Sequence, residues 1–66
     1  MPNYKVNIAY HQEVRGQKSA SSKEIIIQAN RANFPSEDSF KRYLEREAMK
    51  IIEGCTKATW QGHKEI

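Results

Sequence analysis

The chain contains one cysteine, Cys55, so no disulfide can form within it and nothing covalent staples the fold. That scarcity fits a reducing compartment. No stretch approaches the ~20 consecutive apolar residues of a membrane-spanning helix, and the opening segment MPNYKVNIAY lacks the apolar run behind basic residues that marks a signal peptide. A cytoplasmic protein with no membrane partner is therefore expected. Glycine is also sparse, and Gly16, Gly54 and Gly62 stand alone, which excludes a glycine-rich phosphate loop. His11, Cys55 and His63 do not form the short-spaced pairs from which zinc sites are built, so no metal or other cofactor is expected.

Enzymatic groups are missing in the same way. A Cys55 thiolate would need a base such as His11 or His63, yet no flanking signature accompanies any of them, and Cys55 follows a helix stop where a small side chain packs well. Glu47 falls near the edge of an apolar helix side, where burial would raise its pKa, but Lys50 three residues on is placed to pair with it. No nucleophile, base and orienting group come together, so no catalytic residue is assigned and a non-enzymatic protein is expected.

What the chain does contain is enough apolar material for a small core: 38% of its 66 residues are hydrophobic against 29% charged, too many to leave it disordered. The chain reads as one small domain over residues 1–66. Tyr4, Val6, Ile8 and Tyr10 alternate with Lys5, Asn7 and Ala9, which predicts a strand over residues 3–10 with one buried face. The polar stretch Glu13 to Ser22 has no periodicity and reads as a loose connection, into which the strands extend a little way at most. Residues 23–29, KEIIIQA, form a second strand with Ile25, Ile27 and Ala29 toward the core.

Ser36 to Gly54 is the most completely marked element. Ser36 is an N-cap, Glu37 and Asp38 sit where the helix dipole favours negative charge, and Gly54 can take up a left-handed stop. Phe40, Tyr43, Leu44, Ala48, Ile51 and Ile52 share one side. Thr56, Ala58 and Trp60 then alternate in a short third strand over 55–61, followed by a frayed tail from about residue 62.

The expected fold is α+β: a β-β-α-β chain with a three-stranded antiparallel sheet in the order 2-1-3 and the helix on one face. The helix meets Tyr4, Val6, Ile8, Ile25, Ile27 and Trp60, and the other face carries Lys5, Asn7, Ala9, Glu24, Ile26, Gln28 and Lys57. Two free strand edges and a small core favour a binding or accessory protein acting through protein contacts, with a protein partner or a second copy as a homodimer. Ile26 and Met49 are the apolar residues placed to mark such an interface.

Charge supplies the alternative. The net charge of +3 lies entirely before residue 36, where Lys5, Arg15, Lys18, Lys23 and Arg31 face only Glu13 and Glu24. A nucleic-acid-binding protein would use a basic loop with Arg15, Lys18 and Lys23 together with the helical stripe Arg42, Arg46 and Lys50. Glu45 and Glu53 interrupt that stripe, as on an ordinary wet helix face.

Overall fold

A computed structural model describes residues 2–66, arranged as β1 (Asn3–Val14), β2 (Gln17–Gln28), a 3-10 turn (Arg31–Asn33), α1 (Glu37–Ile51) and β3 (Cys55–Glu65). The sheet is antiparallel in the order β2-β1-β3, and α1 packs against one face. This is the α+β architecture and strand order the residue pattern predicts. Register follows from hydrophobic alternation: Tyr4 opposite Ile27 and Val6 opposite Ile25 share the helix side, while Lys5 opposite Ile26 and Asn7 opposite Glu24 face outward.

The first departure from expectation is the hairpin's length. Pairing runs on without a break to Val14 opposite Gln17, so the segment expected to be a loose loop is the distal half of a twelve-residue hairpin pair. Its periodicity is invisible in sequence because residues 17–24 are exposed on both faces, and no buried side enforces an alternation. Arg15 and Gly16, with φ of 55° and 80°, supply the two positive values of a type I′ turn, whose twist matches that of the strands. Arginine is held there against its preference, at a cost of about 1 kcal/mol. Arg15→Asn should therefore raise stability by about 0.5–1 kcal/mol, seen as a higher urea midpoint at unchanged slope; a lower midpoint would contradict the turn assignment.

Helix α1 begins as its residues dictate: the Ser36 hydroxyl accepts the Ser39 N–H at 3.2 Å, with Glu37 and Asp38 in the first turn. Phe40, Leu44 and Ala48 are fully buried against the sheet. Ile51, expected in the core, is instead 52% exposed, and its neighbour Ile52 is 5% exposed. The helix ends at Ile51, and the extended backbone at Ile52 turns that side chain inward, so only one of the adjacent pair can face the sheet.

A second correction concerns the tail. Residues 62–65 continue β3, paired through Asn7–Gly62, Val6–His63, Lys5–Lys64 and Tyr4–Glu65, and the Ile66 N–H donates to the Asn3 carbonyl at 2.8 Å. Polar side chains hold this end. His63 packs edge-on to Tyr4 and Phe40 with ring centroids 5.7 and 5.2 Å away, and its Nδ1 accepts the Trp60 Nε1–H at 3.0 Å. The Tyr4 hydroxyl donates to Glu65 Oε1 at 3.2 Å; burial first, and then this carboxylate, hold the phenol above its ordinary pKa. A segment whose anchoring groups are His and Glu does not look like a core strand in sequence.

Candidate interaction surface

The two sheet edges are not alike. β3 is bulged twice against β1, at Gln61 and at Thr56, which breaks its ladder and bends its outer rim. Helix α1 lies nearer β3 than β2 and reaches over that rim. Glu45 Oε2 accepts the Trp60 backbone N–H at 2.7 Å, and Lys41 Nζ sits 4.2 Å from the centroid of the Trp60 ring. A carboxylate thus occupies a donor that a neighbouring strand would otherwise use. Glu45→Ala should cost about 1 kcal/mol in chemical denaturation, the value of a charge-assisted hydrogen bond in a half-buried setting. An unchanged midpoint would mean that Glu45 does not seal this edge.

β2 carries no such protection. It is paired with β1 over all twelve residues with no bulge, and no other strand lies beyond it among the described residues. Ladder parity shows where its backbone points. The Ala29 N–H donates to the Pro2 carbonyl across this pair, while Glu13 and Asn3 bond toward the β3 side, so even-numbered residues of β1 and odd-numbered residues of β2 bond to each other. Lys18, Ala20, Ser22 and Glu24 consequently direct their backbone N–H and C=O groups outward. Their side chains lie on the open sheet face together with Ile26, which is 58% exposed. Ser19, Ala20, Ser21 and Ser22 in this segment carry small side chains that let another backbone approach, and the one long side chain between Lys18 and Glu24, Lys23, stands on the helix side.

The cations proposed as nucleic-acid contacts fall on separate surfaces. Arg15 is at the hairpin turn, Lys18 is on the open face, and Lys23 stands opposite Ile8 on the helix side. The basic loop that would have grouped them is strand, for the reason given above. Arg42 and Arg46 are exposed on α1, and Lys50 Nζ lies 3.6 Å from Glu47 Oε1, the helical pair that their spacing anticipates. Ile26 and Met49 are both exposed, but one is on the open sheet face and the other on the helix that covers the opposite face, so a single flat partner cannot touch both.

His11, Glu13, Lys18, Ala20 and Lys57 line a shallow concavity on the open face near the hairpin end. It is open to solvent and has no enclosed floor. Cys55 donates its S–H to the Lys57 carbonyl at 3.3 Å and sits opposite Gln12, whereas His63 sits opposite Val6 at the other end of β3. Glu45 and His63 are the two organising polar residues that periodicity did not single out. The only trace of Glu45 in sequence is its place four residues after Lys41 on the flank of the apolar stripe. No protein-family model matches the chain, and no curated protein or solved structure is significantly similar to it.

Proposed function

We propose that the protein is a non-enzymatic binding module that takes an extended segment of a protein partner along the outer edge of β2. The observation that carries this is the contrast between edges: a regular strand with outward backbone groups from Lys18 to Glu24 on one side, and a bulged, side-chain-capped strand on the other. An added strand would satisfy those backbone groups, and side chains at Ile26 and Lys18 on the open face would select what is bound. The shallow open face, whose charged groups are all solvated, suits contact with a surface better than water-excluded chemistry. Six cations spread over a turn, two sheet faces and a helix form no continuous phosphate track, which is why protein contact is preferred to nucleic acid.

Ser22→Pro is the direct test. Its N–H points away from β1, so proline removes a donor from the free edge without breaking the internal ladder, a position where edge strands accept proline. The variant should keep its thermal midpoint within a few degrees and lose partner binding by at least about tenfold. A partner that binds wild type and variant equally removes the β2 edge as the site. Binding to mixed DNA or RNA that weakens steeply with salt, with a shallower slope in Arg42→Gln/Arg46→Gln, would replace the proposal with the nucleic-acid function.

A further inference from the structure

The edge of β2 is complementary to itself. We infer that the strand it accepts is β2 of a second copy, paired antiparallel about a two-fold axis at Ser21; this inference rests on the strand-edge function proposed above. An antiparallel two-fold pairing centred on Ser21 sets Lys18 opposite the partner's Glu24, Ala20 opposite the partner's Ser22, and each of these pairs again in mirror order. All four residues direct their backbone groups outward, so each opposed pair exchanges two N–H···O=C bonds. All four side chains also lie on the open face, so Lys18 and Glu24 meet as neighbours and not across the sheet.

Charge selects this register over its competitors. A centre on Ala20 sets Lys18 against Ser22, a centre on Ser22 sets it against Ile26, and a centre on Lys23 brings two copies of Lys23 together on the axis. Only the Ser21 centre pairs opposite charges, and it does so twice. The surroundings extend the pattern: Glu13 stands opposite Lys18 within one copy, and Lys5 Nζ lies 3.8 Å from Glu24 Oε1. Across the junction Glu13, Lys18 and the partner's Glu24 stand in one row, and the partner's Lys5 reaches that Glu24 diagonally, so the charges alternate in sign. On the helix side the pairing brings Lys23 against Ser19 and Ser21 against Ser21, with no like charges opposed. The position of α1 over β3 leaves this side clear for approach. The product is a continuous six-stranded sheet in which the three strands of each copy meet through β2 and the protected β3 edges lie outermost.

Sedimentation equilibrium on the full chain tests this. Wild type should show a concentration-dependent dimer. Lys18→Glu and Glu24→Lys should each raise the dimer dissociation constant at least about tenfold, because each reversal turns two opposite-charge pairs into two like-charge pairs. The combined Lys18→Glu/Glu24→Lys variant should recover to within about threefold of wild type, since the pairs are restored with their signs exchanged. Glu13 and Lys5 neighbour these sites in monomer and dimer alike, so their effect is common to both states. Wild type that stays monomeric at millimolar concentration overturns the dimer; a dimer indifferent to both reversals, or one that the double variant fails to restore, overturns the register. Both reversals are at exposed positions, so the result does not depend on whether Ser22→Pro folds. Monomeric wild type whose binding to another protein is abolished by Ser22→Pro would reject the dimer and keep the strand-edge function, whereas a dimer unaffected by Ser22→Pro would reject the β2–β2 pairing, and a separate partner bound equally by wild type and Ser22→Pro would reject the strand-edge function.

Discussion

Phe40→Ala is expected to leave the protein largely unfolded at room temperature. Phe40 is fully buried and joins the parts of the core that have least else in common: its ring packs edge-on to Tyr4 at 5.2 Å and His63 at 5.2 Å and tilts against Phe34 at 5.1 Å. Removing it costs about 3–5 kcal/mol, transfer and cavity together. A domain of this size has a margin of only about 3–5 kcal/mol to lose. Amide dispersion in a two-dimensional NMR spectrum should collapse in Phe40→Ala and persist in Phe40→Leu, which retains most of the volume. A well-dispersed Phe40→Ala spectrum would show that the aromatic cluster is peripheral and that Val6, Ile8 and Leu44 hold the core without it.

Gly54→Ala should be the next most damaging exchange, at about 2–4 kcal/mol. Gly54 has φ of +72°, which an L side chain resists, and a Cβ there would stand 2.8 Å from the Glu13 carbonyl oxygen and 3.0 Å from Val14 Cγ2. The neighbour is backbone, and it is pinned: the Glu13 N–H donates to the Gly54 carbonyl at 2.9 Å, and Gln12 Nε2 donates to the Glu53 carbonyl at 2.6 Å. The exit of the helix is thereby fastened to the turn end of the hairpin. Gly16→Ala is the control, since Gly16 has φ of +80° but nothing within 4 Å of an added Cβ. It should cost about 1–2 kcal/mol, the conformational part alone. Equal losses at both sites would mean that close approach at Gly54 contributes nothing.

The fold was legible where one face of an element is buried and the other is not. Val6, Ile8, Ile25 and Ile27 announce strands by alternation, and Ser36, Phe40, Leu44 and Ala48 announce the helix by cap and spacing. Where neither face is buried, as in Gln17 to Glu24, the same strand geometry leaves no mark in the residue pattern. The candidate surface was legible only in part. Ile26 was visible as the middle of three isoleucines, but the outward backbone of Lys18 to Glu24 is a property of the ladder, and side-chain chemistry does not report it. Grouping Arg15, Lys18 and Lys23 as one basic loop failed for this reason.

By itself the sequence determined the main element types, their order and most of the faces that are buried, because apolar periodicity and capping are local consequences of burying hydrophobic area; the strand order β2-β1-β3 followed from that element order and an all-antiparallel sheet. Only the tertiary structure decided how far the hairpin extends, that residues 62–65 are strand, that Ile52 and not Ile51 faces inward, and which sheet edge is closed. Those outcomes depend on backbone groups meeting partners distant in the chain, and on single polar side chains such as Glu45 and His63 finding them.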